Sequence, residues 1–150
     1  MIRIEDALKQ TKPFDSPYQK VLVNLIFTHS WAKKGLQSFF SEYELTGQQY
    51  NVLRILKGAQ KAISTSEIRE RLVEQMSDTS RMVDRLESKG LVEKSRCDKD
   101  KRLVDVRITN QGRALLQKIS KANKRLGRIA GKLTKSEAEQ LSGLLDKMRS

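Results

Sequence analysis

Several things that small proteins commonly rely on are scarce in this sequence. Its 150 residues include one cysteine, Cys97, and one histidine, His29. A lone thiol cannot close an internal disulfide, and a lone imidazole cannot anchor a histidine-rich metal site. Two prolines occur, Pro13 and Pro17, both near the N-terminus, and no glycine-rich linker follows them. One domain over residues 1–150 is therefore expected, with the proline pair separating an N-terminal arm from the first long helix. No run approaches the roughly 18 apolar residues that a membrane span needs. The N-terminus also lacks the continuous apolar core of a secretory signal. The cytoplasm is the expected compartment, with no membrane partner. No serine–histidine–aspartate arrangement, glycine-rich phosphate loop or carboxylate cluster at metal spacing is present. Neither catalysis nor a cofactor is expected.

Positive charge is what the chain has in excess. Thirty lysines and arginines face 18 aspartates and glutamates, a formal net charge of +12. Such a balance on one small domain fits a polyanionic partner, although charge alone does not name nucleic acid. The hydrophobic fraction, 37%, is enough for one thin-layered core.

Apolar periodicity gives the elements. Leu22, Leu25, Ile26, His29, Ala32, Leu36, Phe39, Phe40 and Tyr43 recur at steps of three and four, which predicts a helix over about 18–43. Thr46 and Gln49 have the spacing of a capping box, opening a second helix with Tyr50, Leu53 and Leu56 on its inner stripe. Ser64 and Glu67 repeat that signature before a short third helix. Ser77 can cap a fourth, in which Thr79, Met82, Val83 and Leu86 share one face, and Gly90 supplies a left-handed stop. The rhythm then changes to two: Val104, Val106 and Ile108 alternate with Leu103, Asp105 and Arg107, and Leu91 to Arg96 is the natural partner strand. A fifth helix opens at Thr109 and Gly112, carrying the stripe Leu115, Ile119, Ala122, Leu126, Ile129 and Leu133. A sixth opens at Thr134 and Glu137 ahead of Leu141, Leu144, Leu145 and Met148.

Two short helices followed by a ribbon fit a winged helix-turn-helix. A major groove admits one helix, provided its inner face is held by a core and its outer face offers hydrogen-bonding groups. In the fourth helix Ser77, Ser80, Arg81, Asp84 and Ser88 gather opposite the apolar face, with Arg85 on the flank. The plain alternative is a surface helix whose polar face serves solubility. The ribbon favours the first reading, because Lys94, Arg96, Lys99, Lys101 and Arg102 crowd a hairpin too short to bury much. Long cationic side chains there can enter a minor groove or neutralise phosphate.

The run from Ser77 to Val92, SDTSRMVDRLESKGLV, resembles the recognition helix and first wing strand of the MarR family of bacterial transcriptional regulators. Asp100-Lys101-Arg102 is similar to that family's wing-tip motif, Ile108 to Gly112 to its strand-to-helix junction, and Leu45 to Leu53 to the start of its second helix. The resemblance implies a mainly α fold with a small β wing. A winged helix-turn-helix over about 45–111 would be flanked by dimerisation helices over about 1–44 and 112–150. It implies a homodimeric repressor that binds double-stranded DNA at a pseudo-palindromic operator and is released by a small-molecule inducer or other signal. Ser77, Ser80 and Arg81 would meet the major groove, Arg85 phosphate, and Lys101 and Arg102 the wing's contacts, with Arg102 in the minor groove. Asp78 departs from the family's usual small neutral residue. Its carboxylate suits a helix N-terminus and can accept from a cytosine amine, but it repels a close phosphate. Peroxide-sensing members carry their reactive cysteine in the first helix, and Cys97 lies elsewhere. His29, Trp31, Phe39 and Tyr50 have two readings, aromatic core or the wall of an inducer cleft. The competing function is a winged-helix module for RNA binding or protein assembly, without operator specificity.

Overall fold

The boundaries of the helices fall where capping chemistry places them. The computed structural model describes residues 2–74, 78–96, 104–122, 127 and 130–150. These form two compact units, Met1–Leu36 and Gln37–Ser150. The first holds α1 (Ile4–Ala7), a four-residue helix within what the sequence suggests is an arm, and most of α2 (Pro17–Ser41). Pro17 opens α2, where its missing N–H costs nothing, and the Ser16 Oγ accepts the Gln19 N–H at 3.2 Å. Lys20 donates to Glu5 at 2.6 Å, and that hydrogen bond is the main reason the Glu5 carboxyl sits below the usual carboxylate range.

The apolar stripe foreseen along α2 is not covered as expected. Among its residues only Phe39 and Phe40 are buried, both in the second unit. Leu22, Leu25, Ile26 and Trp31 are exposed, and so is His29, which the sequence placed on an inner face.

In the second unit, α3 (Gly47–Ala59) opens on a complete capping box, with the Thr46 Oγ1 accepting the Gln49 N–H and Gln49 returning the bond to the Thr46 N–H. Then come β1 (Ile63–Ser64), α4 (Thr65–Arg71), α5 (Thr79–Ser88), β2 (Val92–Arg96), β3 (Val104–Ile108), α6 (Asn110–Lys121) and α7 (Lys135–Met148). The ribbon is in fact a three-stranded antiparallel sheet, with β3 between β1 and β2. Ile63 pairs with Val106 on one side of β3, and Val92 pairs with Ile108 on the other. The core is formed by Val52, Leu53 and Leu56 of α3, Ile63, Ile68 of α4, Val83 and Leu86 of α5, Val92, Val106 and Ile119, all essentially without solvent contact. Each such side chain contributes about 1.5–3 kcal/mol over its exposed state.

The fifth predicted helix ends sooner than its stripe suggests. Ala122 is the C-cap of α6, and its N–H turns back to the Ile119 carbonyl three residues behind, tightening the last turn. Within α6 the buried residues are Gly112, Leu116 and Ile119, so Leu116 takes the place foreseen for Leu115. In α7 the Thr134–Glu137 capping box is complete, yet no residue of that helix is buried.

Candidate nucleic-acid interface

The surface of interest begins with how α5 is held. Its buried residues are Thr79, Met82, Val83 and Leu86, the face its periodicity predicts. At its C-terminus the Gly90 N–H bonds to the Glu87 carbonyl at 2.8 Å and the Leu91 N–H to the Leu86 carbonyl at 3.0 Å. That pair of bonds needs a left-handed residue between them, and Gly90 has φ +69°. The turn is then locked from α6: the Thr109 hydroxyl donates to the Gly90 carbonyl at 2.7 Å, and the Thr109 N–H to the Leu91 carbonyl at 3.1 Å. Gly112 lets α6 come this close, since a Cβ there would lie 2.3 Å from the Leu91 carbonyl oxygen. Lys89 adds a hydrogen bond to the Glu44 carbonyl ahead of α3.

The start of α5 differs from expectation. Its N-cap is Asp78, with φ −102° and ψ 31° and no side-chain cap bond, rather than Ser77. The Asp78 carboxylate lies 3.8 Å from the Arg81 guanidinium, one turn further on. At the start of α4, Ser64 caps the Glu67 N–H at 3.1 Å, but the Glu67 carboxylate pairs with Arg71 instead of closing the box.

The locked helix presents Asp78, Ser80, Arg81, Asp84, Arg85 and Ser88 to solvent, with the Arg81 side chain 79% exposed. Five of the six follow the wheel read from the sequence, and Asp78 joins them at the N-terminus. Ser77, Lys101, Arg102 and Cys97 lie outside the described residues. Phe39 is buried against the rings of Phe40 and Tyr43, and Tyr50 stacks on Phe40 at 4.4 Å between centroids. Those contacts favour the aromatic-core reading for Phe39 and Tyr50. Trp31 is 54% exposed and belongs to no core.

One of the wing cations has partners that the sequence reading did not foresee. Lys94, grouped with the wing cations, places its ammonium 2.7 Å from both the Asp84 and the Glu87 carboxylates of α5. Its backbone N–H also reaches Glu87 at 3.3 Å. The hydrogen bond to Asp84, then that to Glu87, raises the Lys94 pKa above the usual lysine range. The signal was present in the alternation: Lys94 lies opposite the buried Val106 and two residues from the buried Val92, so it shares the sheet's inner face. Nearby, Arg107 pairs with Glu93 across the strands. Among the described residues no group of His, Cys, Asp and Glu could hold a metal ion. No helix among them is long and apolar enough to cross a membrane.

A profile of the MarR family matches residues 45–104, which run from the residue before the Thr46 cap to the first residue of β3. The HTH-type transcriptional regulator PecS of Dickeya dadantii (strain 3937) is 32% identical over 88 residues, 57% of this chain and 53% of that protein. The chain spans about half the length of the curated relatives it matches. Among solved structures, a mutant MarR from E. coli complexed with operator DNA is 27% identical, with a TM-score of 0.77, covering 89% of this chain and 99% of that one. The MarR transcription factor from Planctomyces limnophilus is 31% identical, with a TM-score of 0.66, covering 91% of this chain and 98% of that one. With the winged helix-turn-helix built as described and that structure matched along nearly its whole length, this chain belongs to the MarR family.

Proposed function

We propose that the chain is a sequence-specific DNA-binding regulator of transcription, acting as a homodimeric repressor that a small-molecule signal releases. The observation that carries the reading is α5. One face is fixed in the core, its C-terminus is locked by Gly90 and Thr109, and the opposite face offers Ser80, Arg81 and Arg85 to solvent. A helix so held can enter a major groove without rearranging. In this reading Ser77, Asp78, Ser80 and Arg81 meet base edges and Arg85 holds phosphate. Lys101 and Arg102 extend the contact from the wing, Arg102 into the minor groove.

The dimer rests on exposed apolar side chains of helices outside the winged lobe: Leu22, Leu25 and Ile26 of α2, and Leu141 and Leu144 of α7. Two-fold symmetry then requires half-sites about 34–36 Å apart. The E. coli relative bound to operator DNA favours duplex DNA over an RNA or assembly role. The proposed compartment is the cytoplasm.

The test is selection of bound duplexes from random DNA at physiological salt. An inverted repeat is expected, and recovery of unrelated sequences would falsify the proposal. On the selected duplex, Arg81→Ala should lose discrimination worth about 1–3 kcal/mol. Arg102→Ala should weaken binding with dimerisation intact, and unchanged affinity would remove the wing from the proposal.

A further inference from the structure

A helix that meets a polyanion should be cationic, yet α5 with its two caps carries Asp78, Asp84 and Glu87 against Arg81, Arg85 and Lys89, no net charge in a chain of net charge +12. The placement of Asp84 makes this sharper. It stands one turn from both Arg81 and Ser88 and next to Arg85, opposite the buried Leu86, in the middle of the face that offers the reading groups. A bare carboxylate there would oppose every approach of a phosphate backbone, because like charges brought together across an interface cost several kcal/mol.

The structure supplies a counter-charge from another element. We propose that Lys94 masks the carboxylates of Asp84 and Glu87, so that duplex DNA meets one residual negative charge instead of two between the reading arginines while Lys94 itself holds no phosphate. This rests on the DNA-binding reading of α5. Three features carry it. The ammonium is 2.7 Å from each carboxylate and so is committed to both. The side chain rises from the inner face of the sheet, opposite buried Val106, and is 30% exposed, whereas that of Arg81 is 79% exposed. Its backbone N–H binds Glu87 as well, which fixes the strand to the helix at the same point. The raised Lys94 pKa agrees, because the hydrogen bonds to Asp84 and then to Glu87 favour the charged ammonium.

The experiment uses the full chain and a labelled duplex of the selected sequence, with affinity measured by anisotropy across a salt series and folding followed by circular dichroism. K94Q should bind about tenfold more weakly than the parent protein, from exposing two carboxylates beside phosphate. K94R should recover the affinity. The triple variant K94Q/D84N/E87Q, in which no charge is stranded, should also recover it with the parent salt slope. If the triple variant stays weak and its slope is shallower by about 0.9, Lys94 contacts phosphate directly and the masking role is wrong. Parent-like binding by K94Q would overturn it too. Should K94Q fail to fold, the triple variant still decides. If the parent protein itself ignores the selected duplex, the DNA-binding reading fails and this inference falls with it.

Discussion

Helices α5 and α7 are both amphipathic, and the chain treats them in opposite ways. In α5 the apolar positions Met82, Val83 and Leu86 are buried by the protein's own core. In α7 Leu141, Leu144 and Met148 stand at similar spacing, but none is buried and Leu144 is 65% exposed. The period of a sequence thus tells which face of a helix wants cover and leaves open who provides it. For α5 the provider is the same chain, which fixes the surface proposed to read DNA. For α7 the proposed provider is a second copy.

Mutations should separate the two helices most clearly at their leucines. Leu86→Ala leaves a cavity in a fully enclosed site and should cost about 2–5 kcal/mol in urea unfolding. Leu144→Ala should change unfolding of the dilute chain by less than about 0.5 kcal/mol, while sedimentation shows weaker self-association. Equal losses of stability in the two variants would erase the contrast. Glycines give the next largest effect, with opposite signs. Gly112→Ala drives a methyl against the Leu91 carbonyl and the Ile108 side chain, and should destabilise by about 1–3 kcal/mol. That corresponds to roughly 2–4 °C in Tm for each kcal/mol at this chain length. Gly143→Ala in α7 meets nothing within 4 Å and should stabilise by up to about 1 kcal/mol through helix propensity. A fall in Tm for both would mean that α7 is more closely packed than its exposure indicates.

The smallest expected effect is one of pH. Hydrogen bonds from the Thr134 backbone N–H, and secondarily its hydroxyl, hold the Glu137 carboxyl below its usual range. A carboxyl with a lowered folded pKa contributes its stability fully above the unfolded value and loses it as pH falls through the folded one. The helicity advantage of the parent protein over Glu137→Ala should therefore be complete at neutral pH and shrink below about pH 4. An advantage that persists undiminished in acid would show that the carboxylate form is not what caps α7.

Much of this was legible locally. Thr46 with Gln49 and Thr134 with Glu137 announce helix starts because a capping box is made within four consecutive residues. The α5 stripe and the Val104–Ile108 strand follow from periods that a short window contains. What escaped was short or distant. Ile63–Ser64 is two residues long, too few to show alternation, and it is a strand only because β3 pairs with it. The end of α6 was hidden because apolar residues continue at helical spacing after Lys121. Exposure of His29 and Trp31 could not be read from α2 itself, since a stripe looks the same covered or bare. Of the surface proposed to read DNA, the exposure of Ser80, Arg81 and Arg85 was legible from the wheel. The pairing of Lys94 with Asp84 joins a strand to a helix ten residues earlier, and no local pattern contains both.

The central place of β3 has a consequence for how the hairpin can vary. Its phase is set by Ile63 and Ser64, which lie outside the hairpin altogether, as well as by β2. Sliding β3 by one residue would turn Val106 and Ile108 toward water and break those outside pairs. Residues added or removed between β2 and β3 should therefore leave the base of the sheet in step, so that the connection can vary in length without disturbing the pairing that holds the core.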